Sequence, residues 1–369
     1  MNFPARFSGS YRQEDVQFLL KPLPLQDFVD VPQKEYLIQS GQRHYSEMLS
    51  PESLPSARYL DVFRQACELN TARMARDCLA LASLIDQRQP GGGNIALVSL
   101  ARAGTPVGVV LKRLLETVFK RDVAHYSVSI IRDRGIDQVA LEHILAQGHA
   151  PASLVFIDGW TGKGVISREL TAAIDEFNAR RGTAIDGGLY VLSDLAGTAA
   201  CAASCDDYLI PSSILNATVS GLVSRSILND AIGPGDFHGC VYYGQFEAQD
   251  QSQSFADALV HAALVLAETP GNAAAAPMDK EQAGAVSRAY MQAALAAHGI
   301  TDVNLIKPGI GEATRVLLRR SPRLLIVRDA GAPEVAHLVL LAQEKNIPVS
   351  VDPALPYHAV SLIRSALDG

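Results

Sequence analysis

Apolar and polar residues alternate along this chain with two different periods. From Ala57 to Asp86 a spacing of three to four holds Leu60, Phe63, Cys67, Met74, Cys78, Leu81 and Ile85 on one face, which predicts a long helix. Pro90-Gly-Gly-Gly-Asn94 ends it. Short apolar runs then alternate with helical patterns. Strands are predicted at 95–99, 125–131, 154–157, 189–193 and 208–210. Helices are predicted at 106–120, 137–147, 165–180, 198–203 and 216–228. Strands that take turns with helices imply an α/β fold with a mainly parallel, doubly wound sheet. Two further helices are predicted near 255–266 and 280–298, joined by the Ala/Pro-rich linker 269–277. From Thr301 a smaller α/β unit follows, with helices at 311–320, 333–346 and 358–367 and strands at 324–327 and 349–351. The predicted divisions are an N-terminal arm or hood over 1–56, the main domain over 57–250, a helical linker region over 251–300 and a C-terminal domain over 301–369.

In such sheets ligands bind beyond the carboxyl ends of the strands. Three polar loops are predicted there. In Asp158-Gly-Trp-Thr-Gly-Lys-Gly164 the strand runs straight into a helix start, where unpaired N–H groups and the helix dipole favour an anion. Gly162 and Gly164 permit close approach, while Thr161 and Lys163 add a hydroxyl and a charge. Asp158 is placed for a sugar hydroxyl or a metal. The loop is not a Walker loop: Gly164 stands where a Ser or Thr would hold the metal. The second loop, 99–105, joins a strand to a helix, and its Arg102 can grip a diphosphate bidentately. The third carries Arg132 and Arg134, and a fourth strand end carries Ser193 and Asp194. Asn216, Ser220, Ser224 and Arg225 share a face of the predicted helix and can line the pocket or pack against a neighbour.

A net charge of −7 argues against a wholly basic surface for nucleic acid, and no apolar run is long enough for a bilayer. Five scattered cysteines suit free thiols in a reducing cytoplasm. His238 and Cys240 share a face if they lie on a strand, so a thiolate–imidazole pair is an alternative chemistry there, with Cys201 a second candidate nucleophile. Between Lys307 and Arg328 six cations face Glu312 alone, a local charge that suits a phosphate backbone.

The order of strand, Ser99-Leu-Ala-Arg-Ala-Gly-Thr-Pro106 loop, arginine-bearing loop and Asp158–Gly164 loop resembles a type I phosphoribosyltransferase. More narrowly, together with Ser193-Asp-Leu-Ala-Gly197 and the stretch 215–225, it resembles the phosphoribosyltransferase-like proteins encoded with bacterial tellurite-resistance and stress genes. That group is also labelled StiP-type cysteine protease, and its members carry a Pelota-like RNA-binding domain. Gly309-Ile-Gly-Glu-Ala-Thr-Arg315 follows the Gly-x-Asn-Glu-x-x-Lys motif of that domain, with Gly311 in place of the base-contacting Asn. The resemblance implies transfer from 5-phosphoribosyl 1-diphosphate with Mg²⁺. Thr161–Gly164 would hold the 5′-phosphate and residues 101–104 the diphosphate. Asp158 would meet the ribose hydroxyls, directly or through the metal. Arg132 and Arg134 would close over the leaving group, and Ser193 and Asp194 would meet the acceptor. It also implies RNA contacts from Lys307, Arg315, Arg319 and Arg320. The expectation is therefore a cytoplasmic phosphoribosyltransferase-like enzyme, as a single chain or an oligomer. The alternatives are a cysteine peptidase and a non-catalytic, nucleotide-sensing RNA-binding protein.

Overall fold

The computed structural model of the chain describes residues 6–25, 28–88, 93–269 and 279–364. In chain order the strands are β1 Gln17–Leu19, β2 Lys21–Leu23, β3 Ile95–Ala101, β4 Val123–Ile131, β5 Gly135–Ile136, β6 Leu154–Ile157, β7 Trp160–Thr161, β8 Leu189–Asp194, β9 Cys201–Ser204, β10 Gly239–Val241, β11 Ile306–Pro308, β12 Pro322–Val327, β13 Val349–Val351 and β14 Ala359–Ile363. The helices are α1 Val31–Gln39, α2 Ala57–Arg88, α3 Gly104–Thr117, α4 Gln138–Ala146, α5 Val165–Arg181, α6 Ser252–Ala267, α7 Lys280–His298, α8 Ile310–Arg319 and α9 Ala336–Glu344.

The main sheet runs β1-β4-β3-β6-β8, with β7 and β9 both paired to β8, and all these pairs are parallel. Only β5, against β4, is antiparallel. The strands are apolar on both faces because both are covered. Met74 and Cys78 of α2, Val110 and Leu114 of α3 and Phe255 and Leu259 of α6 pack in the core on one face. Leu141 and Ile144 of α4 and Leu170 and Ile174 of α5 do so on the other. From β3 the chain crosses to β4 on one side, then returns to β6 on the other. The strand order reverses there, which opens a crevice at the carboxyl ends of β3 and β6.

The C-terminal sheet runs β11-β14-β12-β13, antiparallel except for β12 with β13. Ala313 and Leu317 of α8 and Leu338 and Leu341 of α9 belong to the same buried cluster as the α2–α3–α6 layer, so the two units share one continuous core. Met291 and Ala294 of α7 cover other C-terminal residues, including Ile306 and Leu362.

Several expected elements differ. Residues 201–204 form a strand, not part of a helix, and 208–210 form no strand. The expected helix 216–228 is a 3-10 turn, Ala217–Val219, followed by irregular chain. Gly221 and Leu222 both adopt positive φ, 79° and 57°, and a right-handed helix cannot pass through them. The expected helix from His358 is strand β14, buried along its whole length between two partners. The expected arm is partly built into the sheet through β1. Of the expected breaker 90–94 and linker 269–277, residues 90–92 and 270–277 lie outside the described residues.

Candidate functional site

The loops after β3 and β6 meet at the switch point. A Cβ on Gly104 would strike the carbonyl of Ile157, so glycine is what lets the two loops touch. Arg102 is buried and engaged: it pairs with Glu52 at 2.7 Å and donates to the carbonyl of Val223 at 2.7 Å. Ala101 and Ala103 border the same crevice as Asp158. Asp158 is buried and accepts from the N–H of Gly159 at 2.8 Å. Burial raises its carboxyl to about 6, more than the nearby Arg315 lowers it. Thr161 Oγ1 accepts from the N–H of Gly164 at 3.0 Å, and Gly164, with φ of 68°, turns the chain into α5. Lys163 Nζ donates to the carbonyl of Val303 at 2.8 Å. Burial, then the neighbouring Lys307, brings its ammonium down to about 7.

The C-terminal unit closes over this loop. A Cβ on Gly162 would stand 2.9 Å from the carbonyl of Pro308. The guanidinium of Arg315 lies over the Trp160 ring, 4.4 Å from its centroid, and pairs with Glu312 at 2.9 Å. Lys307 lies 4.0 Å from Glu312. Arg320 is paired with Glu35 of α1. Among these expected RNA contacts, Lys307, Arg315 and Arg320 therefore face the first unit, while the side chain of Arg319 lies outside the described residues. Gly311 has an explanation: a Cβ there would strike the Trp160 ring, so no asparagine fits while the units are docked.

Arg132 pairs with its neighbour Asp133 at 3.1 Å and its N–H bonds to the Tyr45 hydroxyl. Arg134 pairs with Glu47 at 2.5 Å. Asp194 is fully buried and accepts from the N–H groups of Ala196 and Ala199, while the Ser193 hydroxyl donates to the carbonyl of Asp206. Both shape the turn after β8. Asn216–Arg225 share no helix face, yet Arg225 does border a cavity that Thr161, Lys163, Lys307 and Arg315 also line. Among the described residues, no group of three His, Cys, Asp or Glu could hold a metal, so a Mg²⁺ at Asp158 would need most of its oxygens from a bound molecule.

The thiols do not form a dyad with histidine. Cys240 lies sealed in the core, and burial pushes its thiol far up. The ring Nδ1 of His238 is hydrogen-bonded to the Ser129 hydroxyl at 2.7 Å, and its backbone N–H donates to Asp137 at 2.6 Å. Cys78 is equally sealed, and Cys67, on α2, is pushed up to about 12. Cys201 and Cys205 are half-buried, and burial raises both. Lys280 opposes the rise at both; at Cys205 the carboxylates of Asp194, Asp206 and Asp279 add to it, whereas at Cys201 burial alone does.

Sequence reasoning missed Trp160, Tyr45 and Asp207. Asp207 accepts from the N–H of Ile310 at 2.9 Å and of His358 at 2.8 Å, tying the start of α8 and the approach to β14 to the first unit. Such contacts span more than 100 residues and leave no local signal. Trp160, the single tryptophan of the chain, was the one visible hint.

The architecture defines a two-part α/β protein with a basic cavity between the parts. Residues 9–260 match the family described as tellurite-like stress resistance cysteine protease StiP, and residues 285–365 match the PELOTA RNA binding domain. The chain belongs to the StiP family. It is 41% identical over 371 residues to a protein of Acinetobacter baylyi named Cysteine protease StiP, covering 97% of this chain and 94% of that one. No solved structure matches the chain. These findings overturn the expectation of a phosphoribosyltransferase acting on 5-phosphoribosyl 1-diphosphate: family and relative are both named as cysteine proteases. Among the described residues no helix is long and apolar enough to cross a membrane.

Proposed function

We propose that this chain is a cysteine-dependent peptidase of stress resistance. The observation that carries this reading is the near full-length kinship with the Acinetobacter baylyi protein that bears that name. Cys201 is the thiol best placed for the attack. It stands at the start of β9, which among the described residues pairs with β8 alone, and is half-buried. Lys280 Nζ lies against the carbonyls of Ala199 (2.9 Å) and Ala200 (2.5 Å), just before Cys201, and its charge favours the thiolate over the thiol. Cys205 is a poorer nucleophile because the carboxylates of Asp194, Asp206 and Asp279 oppose its ionisation and outnumber the one ammonium, Lys280, that favours it. The thiolate would add to a peptide carbonyl, a water molecule would give the departing amine its proton, and the hydroxide so formed would hydrolyse the thioester to the acid and free the thiolate.

The test is hydrolysis of a fluorogenic casein by the full chain. Cys201→Ala is expected to reduce the rate by about a hundredfold or more, as loss of a covalent nucleophile does. Cys240→Ala, at a sealed position, should leave the rate within about threefold of wild type if the fold tolerates the small cavity. Full hydrolysis by Cys201→Ala would sink this assignment. The C-terminal unit adds a second proposed role, binding RNA, which its match to the PELOTA domain supports.

A further inference from the structure

We propose that the outer edge of β13 is a self-association surface, on which a second copy of this chain adds its own β13, antiparallel and centred on Ser350. This goes beyond the peptidase reading and does not depend on it: no thiol lies in β13.

β13 ends the C-terminal sheet, and among the described residues β12 is its one partner. The parallel register with β12 fixes which way each peptide group points. The N–H of Leu325 donates to the carbonyl of Pro348 at 3.0 Å, and that of Asp352 to the carbonyl of Val327 at 2.9 Å. Residues 348, 350 and 352 therefore turn their backbone groups towards β12, while Val349 and Val351 turn theirs outward. Among the described residues no hydrogen bond reaches the N–H or carbonyl of either valine. The edge is also open to solvent. Val349 is 38% and Val351 53% exposed, and Ser350 is exposed with them, as are residues 343–346 and 352–354. The strand itself has no charge, proline or bulge to block another strand.

The free groups are bounded on both sides. The N–H of Ile347 is taken by the carbonyl of Ala342 at 2.8 Å, and Pro353 has no N–H. What remains is a pattern that complements itself. About a two-fold axis through Ser350, Val349 faces Val351 of the second copy, and Val351 faces its Val349. Outward-pointing residues set opposite each other exchange both their hydrogen bonds, so this register satisfies all the free groups of both strands. Setting either valine opposite itself puts the other against Ile347 or Pro353, which have no N–H to give. In the matched register two valine pairs meet across the strands, and the residue on the axis is a neutral serine. Asp352 faces Pro348, so no like charges are opposed. The contact is isologous and closes as a dimer. Two such short strands bury far less than the roughly 1,200 Å² of stable complexes, so dimer and monomer exchange as concentration changes.

Hydrogen exchange and sedimentation of the full chain test this. Raising the concentration from ~5 µM to ~0.5 mM should increase the sedimenting mass and slow exchange at Val349 and Val351 at least about threefold, while Ser350, whose N–H faces β12, stays unchanged. Val349→Lys with Val351→Lys sets lysine opposite lysine and should weaken association at least about tenfold. Val349→Lys with Val351→Glu sets each lysine opposite a glutamate and should associate within about threefold of wild type. Both positions are exposed, so neither pair disturbs the core. Ser350→Cys should give a reducible dimer on mild oxidation, because opposed residues on the axis stand within disulfide reach, and wild type should not. Exchange at both valines that ignores concentration, or equal association of the two double variants, would overturn the proposal. Slowing that requires added unfolded casein would overturn it too, by giving the edge to an extended foreign polypeptide.

Discussion

Asp158 shows how burial sets the behaviour of one group. Its carboxyl is raised to about 6 because the desolvated charge outweighs the attraction of Arg315. In the unfolded chain it would titrate near ~3.9. The folded protein therefore holds this proton more tightly than the unfolded chain does. The stabilising contribution is fully present below about pH 4 and is lost as pH rises through about 6. The difference amounts to about 3 kcal/mol at neutral pH, as an upper bound. Asp158→Asn is uncharged at every pH. Its melting temperature relative to wild type should rise between pH ~4 and ~7, by several degrees on this magnitude. Melting curves that shift in parallel over that range would show that the carboxyl is not held up by its surroundings.

At the scale of elements, the docking of α8 rests on a cap borrowed from elsewhere in the chain. Gly309, before α8, has no side chain to satisfy the first helical N–H groups. Asp207 supplies the acceptor for Ile310 and also takes the N–H of His358 next to β14. Asp207→Ala leaves both donors without that partner and should cost about 1–3 kcal/mol. Hydrogen exchange at Ile310 and His358 should accelerate, while amides in β3 and β6 keep their protection. Unchanged exchange at both positions would mean that the cap is dispensable.

The elements that carried a periodic signal were legible from sequence. Helix α2, the strands β3, β4, β6 and β8, and α5 each have enough apolar repeats to fix type and place. The loop of residues 158–164 was legible because glycine spacing and a helix start coincide. The misses share a cause. Cys-Ala-Ala-Ser of β9 is made of small residues that carry no period, and Ala-Val-Ser-Leu-Ile of β14 reads equally well as either element. Over 216–228 a helix-like polar stripe was a coincidence that Gly221 and Leu222 break. The engagement of Arg102 by Glu52 joins positions fifty residues apart, and no local pattern encodes it.

At the scale of the whole molecule, the shared core and the Asp207 cap hold the C-terminal motif against the loop of residues 158–164. Arg315 and Lys307, expected from sequence as RNA contacts, are turned inward here. The intact chain should thus bind structured RNA weakly at ~0.1 M salt, and Asp207→Ala should bind it at least about tenfold more tightly, with a steeper fall as salt is added. Filter binding of both proteins to the same RNA measures this. Equal affinity would show that docking does not limit access.

The contact between Gly311 and Trp160 has a thermodynamic consequence. The face that carries Gly311 and Arg315 is occupied by Trp160 while the units are docked, so RNA that takes this face must supply the free energy of separating them. Its measured affinity is then lowered by the fraction of molecules in which that face is free. The glycine is the small residue that lets the closed state form.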